Sequence, residues 1–417
     1  MRLLAFLLLL ALGLPAHAET IAITNARLMD GERDEAGMTI VMADGKIASV
    51  SRGGVAPSGA RVVDAGGRPV TPSLAAAATQ IGIVGMGSAA NTRDEAVSSG
   101  PAGAGFAVAP GVDLNDLTIQ EARAQGVVSA MVYPDAGNGV FAGTAALLRL
   151  DRTGNPVRNA NAAVFAVPRG KNAGGSRGAA WALIRNALDE AKRPASAANA
   201  PRDDLLNPLD IAALRPVVAG RTPIAIVANR EADIRQAIEL SRDYGIRVVV
   251  VGGAEAWRVA DALATSGVGV ILDPLDELPF TYDTVGARRD NAAILAKAGV
   301  PIAFMVSAQA IYLSYDLGPA LREGAGISAA NGLSRADALR AITSAPARVW
   351  TGKASPGIAV GGAGDVVVWD GDPLEPSSAP AHVFVGGREL SKVTRQTRLR
   401  DRYHPSRSGD PLPPAYR

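Results

Sequence analysis

The stretch GGRPVTPSLAAAATQIG (66–82) separates two kinds of sequence pattern. Before it the chain reads as β structure. TIAITNARLMDG (20–31) alternates apolar and polar residues from Ile21, and MTIVMADGKIASV (38–50) holds a hairpin signal at Asp44-Gly45. ARVVDAGGRPVTP (60–72) adds a further short strand. Strands this short need partners to be stable. Runs of the same character occur far away, at GDVVVWDGDP (364–373) and AHVFVGGREL (381–390). The two chain ends are therefore expected to pair into one small β-sandwich domain, to which 19–72 and 351–403 both contribute.

After the stretch, from 73 to 350, β-branched apolar runs alternate with helical patterns. GVVSAMVYP (126–134), TPIAIVANR (222–230), IRVVVVGGAE (246–255), VGVILDP (268–274) and VPIAFMV (300–306) read as buried parallel strands. Between and beyond them lie WALIRNALDEAK (181–192), ADIRQAIELSRDYG (232–245), AWRVADALATSG (256–267), NAAILAKAG (291–299) and SRADALRAITSAPARVW (334–350). Their apolar residues recur near i, i+3, i+4 and i+7, and Gly245 supplies a stop signal. Repeated strand–helix units over this length favour a (β/α)₈ TIM-like barrel. A doubly wound open sheet is the alternative, and the lack of a Gly-rich phosphate fingerprint counts against it. AGNGVFAGTAALL (136–148) reads as a tight turn and hairpin.

Bulk composition narrows the function classes. Of 417 residues 48% are hydrophobic but only 4% aromatic, so the core must be built from Ala, Val, Ile and Leu. Forty-two Lys and Arg against 40 Asp and Glu give no electrostatic case for nucleic-acid binding. There is no cysteine, which removes disulfides, thiolate nucleophiles and Cys-ligated metals. MRLLAFLLLLALGLPAHAET (1–20) has a short charged end, an apolar run from Leu3 to Leu14 and an Ala16-His17-Ala18 cleavage site. Residues 1–18 are expected to be a signal peptide. The mature chain is then exported, to the periplasm in a Gram-negative source, with no membrane attachment after cleavage.

Taken together, ITNARLMDG, IVMADGKIASV and VVDAGGRPVTPSL resemble the opening of the amidohydrolase superfamily. AITSAPARVWTGKASPGIAVGGAGDVVVWDGDPLEPSSAPAHVFVGGREL (341–390) resembles that family's closing segment, and 222–264 is similar to its imidazolonepropionase- or prolidase-like branch. The resemblance covers nearly the whole mature chain. It implies a metal-dependent hydrolase of carbon–nitrogen bonds, with one or two zinc ions at the barrel mouth. Two His after the first strand, two further His, often a carboxylated Lys, and an Asp after the last strand hold the metal. Such ligands leave one position open for a water whose pKa falls to about 7.

This sequence departs from that pattern at each of those places. Ala78 and Gln80 stand where the paired His belong, and Ala76 replaces a nearby Asp. Val227 holds the next His position, and Gly252-Gly253 follow IRVVVV where another is due. The last strand should deliver an Asp near Ser307, yet no carboxylate occurs between Gly299 and Tyr315. Of three His, His17 leaves with the signal peptide, while His382 and His404 lie in the C-terminal region. No imidazole remains for a zinc centre, so no metal, no cofactor and no catalytic residue are assigned.

The residues expected to line the degenerate mouth as a ligand-binding site are Ala78, Gln80, Tyr133, Val227, Asn229, Arg230, Glu255, Asp273, Ser307 and Gln309. Asp135, Glu255 and Asp273 could form an oxygen-only cation site; alternatively they cap helices or pair with arginines. Lys171 reads as a solvated loop lysine. Two functional readings follow. One is a non-catalytic, exported member of the superfamily that binds a small-molecule ligand, a related catalytically competent subunit, or further copies of itself. The other is an active hydrolase of cyclic amides or small peptides using a non-standard carboxylate site. The basic, then Pro-rich end of the chain, with its tail at 404–417, is expected to lie extended on the surface.

Overall fold

The structure is a computed structural model that describes residues 19–404, apart from 86–92, 101–102, 138, 152–154, 194–205, 277, 280 and 308–315. The signal-peptide and Pro-rich-tail expectations fall outside the described residues, His404 excepted, as does Gln309.

The chain opens with β1 (Ile21–Met29), β2 (Asp34–Ala43), β3 (Lys46–Arg52), β4 (Arg61–Asp64) and β5 (Pro69–Pro72). The β2–β3 turn places Asp44 at φ 51° and Gly45 at φ 78°, the left-handed pair a two-residue hairpin requires. Late in the chain come β14 (Val366–Trp369), β15 (Pro380–Val385) and β16 (Arg388–Glu389). β14 pairs antiparallel with β5, which joins the two chain ends as the sequence implies. The result is one continuous sheet, β16-β15-β14-β5-β1-β2-β3 with β4 on β1, in place of two separate sandwich sheets. Its alternation is clean at β14. Val366 and Val368 join Ile21, Ile40 and Phe384 in the sheet's own core, while Val367 and Trp369 face the other way, into the core of the second unit. Gly126, at φ 85°, permits that approach: a Cβ there would lie 2.8 Å from a Val367 methyl.

Ser73 separates β5 from β6 (Leu74–Thr79), the first strand of the second sheet. There follow β7 (Val127–Val132), β8 (Phe141–Arg149), β9 (Val157–Ala166), β10 (Ile224–Ala228), β11 (Val248–Gly252), β12 (Gly269–Leu272) and β13 (Ile302–Phe304). They are ordered β6 to β13 in one eight-stranded sheet that curls almost into a barrel. Two features correct the (β/α)₈ expectation. β8 runs antiparallel to both neighbours, leaving seven strands parallel. The connections before and after it are too short for the helical crossover a parallel strand needs. And β6 and β13 lie side by side without ladder pairs, so the sheet is not hydrogen-bonded shut.

Helices pack outside this sheet. Helix 231–244 illustrates how the sequence sets their ends. Glu255 Oε2 accepts the Glu231 N–H at 2.8 Å, and Gly245 closes the last turn at φ 63°. Asn207 caps helix 208–218 and Ser334 caps helix 335–341. The end of the chain is corrected too. Residues 395–403 form a helix, started by reciprocal bonds between Thr394 and Thr397, where the sequence points to an extended segment. Among the described residues, no helix is long and apolar enough to cross a membrane.

Candidate functional site at the barrel mouth

Side chains alternate across the barrel wall. On β10, Ile224 and Ile226 face the helices, while Ala225 and Val227 face the interior. On β11 the interior positions are Val249 and Val251, on β12 Ile271, and on β13 Ala303, with Met305 just beyond. Ala77, Ala78, Met131, Tyr133, Phe165 and Trp350 belong to the same inner cluster. Phe165 is fully buried and stacks on Tyr133 with ring centroids 5.3 Å apart. Trp350 lies 6.0 Å from Phe165, and its indole N–H donates to the Ala77 carbonyl at 2.8 Å. The interior is an apolar plug with an aromatic spine.

Three of the candidate positions therefore belong to that plug: Ala78, Tyr133 and Val227. Asn229 and Asp273 come together beside the mouth, in a cavity of about 50 Å³ that Asp276, Arg288, Arg289 and Asn291 also line. That volume holds one or two waters, far below the 300–1,000 Å³ typical of ligand pockets. Asp273 is bound to the backbone, accepting the N–H of Ser307 at 2.7 Å and of Leu275 at 3.0 Å. Burial nevertheless pushes its pKa above the ordinary carboxylate range, and does the same to Asp276. Glu255 is engaged by helix 231–244, and Arg230 is exposed at that helix's start. Ser307 contributes its backbone N–H. Asn291 joins the site without any sequence signal; its amide N–H₂ donates to the Gly253 carbonyl at 2.9 Å while its Oδ1 has no described partner.

Gln80 is the anomaly. It is 3% exposed, directly after β6, and neither amide atom finds a hydrogen-bond partner among the described residues. A buried orphan amide costs about 1–3 kcal/mol. Gln80→Leu is therefore expected to raise the unfolding free energy by about 1–2 kcal/mol in urea titration. A loss of stability instead would mean that the amide is satisfied in the folded protein.

A zinc ion does not fit the residues present. The inward-facing ends of the strands carry methyl, phenyl and thioether groups in place of imidazoles. His382 sits on β15, its Nδ1 2.6 Å from Glu389 Oε1, in the other sheet. The oxygen-only alternative fails on geometry. Asp135 is exposed and accepts the N–H of Ala136. Among the described residues, no three His, Asp or Glu side chains are placed to hold a metal. Lys171 lies exposed on a short turn of 3₁₀ helix.

Comparison with known proteins agrees with the architecture. No family profile matches the sequence. A stretch of 45 residues is 53% identical to the amidohydrolase tasK of Hapsidospora irregularis, which is 11% of this chain and 4% of that protein. An amidohydrolase from Thermotoga maritima superposes with a TM-score of 0.78 at 22% identity, covering 89% of this chain and 99% of that one. A 5-methylcytosine deaminase from Klebsiella pneumoniae, solved with 5-fluorocytosine, gives 0.57 at 15% identity, covering 89% and 97%. A prolidase solved with n-methylphosphonate-L-proline gives 0.56 at 16%, covering 89% and 99%. The chain thus has the fold of amidohydrolases, prolidases and related deaminases: a nearly closed eight-stranded barrel sheet joined to a second sheet built from both chain ends.

Proposed function

We propose that this protein is an exported member of the amidohydrolase superfamily that works by binding and has no zinc-hydrolase centre. The observation that carries this reading is the chemistry of the barrel interior. Metal-assisted hydrolysis needs lone-pair donors converging on an ion with one open position. Of the positions the family fills with metal ligands, Ala78 and Val227 belong to the apolar cluster that also holds Val251, Met305 and Phe165, while Gln80, Gly252-Gly253 and Ser307 hold the others. With no imidazole and no carboxylate at those positions, the Lewis acid has no ligands to hold it. Of the carboxylates near the mouth, Glu255 and Asp273 are engaged by backbone N–H groups, which favours a structural role for these two over general acid–base work.

The retained scaffold then serves recognition, either of a small molecule or of a related subunit that keeps its metal ligands. The test is an activity screen of the purified mature chain on dipeptides, lactams and hydantoins with zinc, manganese or magnesium supplied. The expected result is no turnover above buffer with any metal. Hydrolysis that scales with enzyme concentration and disappears in Asp273→Asn would establish the carboxylate-based hydrolase instead.

A further inference from the structure

At the opposite end of the barrel, the N-terminal face, a cavity of about 670 Å³ opens between the strand starts and the second sheet. This volume is in the range of small-molecule sites. Its apolar wall is Met131, Leu147, Ala162 and the edge of Trp350. Its charged groups are Arg149, Arg221, Arg247, Lys353 and Asp365. The one acid is already committed. Asp365 takes two hydrogen bonds from Arg149, at 2.6 and 2.8 Å, and a third from the Gly386 N–H at 2.8 Å. Arg247 donates to the Trp350 carbonyl at 3.1 Å, at the C-terminus of helix 345–351, which accounts for its place in the fold. Among the described residues, the side chains of Arg221 and Lys353 have no such partner. No described carboxylate lies within ion-pair distance of Arg221, Arg247 or Lys353.

With Asp365 engaged by Arg149, the lining carries three further positive charges, Arg221, Arg247 and Lys353, and an anion entering the cavity is favoured. We infer that this cavity binds a small amphiphilic organic anion, a carboxylate or phosphate carried on an apolar body. The anionic group would meet Arg221, Arg247 and Lys353, and the body would lie against Trp350, Met131 and Leu147. Chemistry on barrels of this type occurs at the other face, so this is a binding site and not a catalytic one. It stands whether or not the mouth is catalytic.

The test uses the full chain and 1-anilinonaphthalene-8-sulfonate, an aromatic anion whose fluorescence rises in apolar surroundings. The expected result is saturable binding at one site per chain, competed by phenylacetate or phenyl phosphate but not by phenethylamine. Whichever acid competes better identifies the anionic group. R221E/K353E is expected to weaken binding at least tenfold at an unchanged melting temperature, since both side chains are exposed. The control R52E/R235E carries the same charge change elsewhere on the surface and leaves binding intact. Binding that R221E/K353E does not weaken, equal competition by the amine, or no saturable binding would each overturn the inference.

Discussion

Phe165→Ala is expected to lower the unfolding free energy by about 3–5 kcal/mol. The side chain is fully buried on β9, between Tyr133 at 5.3 Å and Trp350 at 6.0 Å. Large-to-small losses exceed the transfer energy of the missing atoms when neighbours cannot collapse into the void. Collapse is hard here. Many of the surrounding side chains are short, including Ala77, Ala78, Ala145, Ala163, Ala225 and Ala303, and all stand on hydrogen-bonded strands or directly beside them. With only 4% aromatics in the chain, this ring is one of three, with Tyr133 and Trp350, that fill the interior. Urea midpoints of wild type and variant measure the effect. A cost under about 1 kcal/mol would mean that the interior is loosely packed or wet, and the plugged-barrel account would lose its basis.

Arg322→Ala is expected to cost about 3 kcal/mol or more. Arg322 is 1% exposed on helix 317–330 and binds the loop that follows β14. Its Nη1 donates to the carbonyls of Pro373 and Glu375 and to Ser378 Oγ, and its Nη2 donates to the Ser378 carbonyl. The guanidinium also stacks over Trp369, 4.9 Å from the ring centroid. Burial holds its pKa below the usual arginine value. Removing it leaves the Pro373 and Ser378 carbonyls without a described partner, each with its own desolvation penalty, while the Glu375 carbonyl keeps the N–H and hydroxyl of Ser378. Arg322→Lys should recover only a fraction of the loss, because an ammonium cannot reproduce the planar fork. Since Val367 and Trp369 of β14 still pack into the barrel's core, both variants should unfold in one cooperative transition. Two separated transitions would show that the two units are energetically independent.

Much of this fold is legible in the sequence. β10 to β13 announce themselves as Val- and Ile-rich runs, and Asp44-Gly45 and Gly245 mark a turn and a helix end by their backbone demands. The pairing of the two chain ends follows from the matched character of their strands. What the sequence hides has physical reasons. β9 begins VRNANAA, short and polar residues that carry little strand signal, and half of it is solvent-facing. Helix 317–330 contains Pro319, Gly318, Gly324 and Gly326, poor helix formers whose small size serves packing. A Cβ at Gly326 would sit 2.4 Å from the Leu374 carbonyl, and one at Gly318 2.4 Å from Gln125. The stretch 136–148 holds no hairpin of its own: Phe141–Arg149 is the single strand β8, paired antiparallel with β7 and β9, which conflicts with the (β/α)₈ pattern.

At the site, the missing imidazoles can be counted from the sequence. That Ala78, Tyr133 and Val227 share one apolar cluster, while Asn229 and Asp273 share a separate small cavity, depends on strand parity and on distances. The isolation of Gln80 depends on its surroundings and has no sequence signal at all.

The central claim, that the barrel has lost its metal-binding chemistry, is tested most directly by elemental mass spectrometry. The mature chain is produced in zinc-supplemented medium, dialysed without chelator and analysed for metal per chain. The account predicts well under one ion per chain for zinc and for every other divalent metal. One or two ions retained per chain, displaced only by a strong chelator, would contradict it.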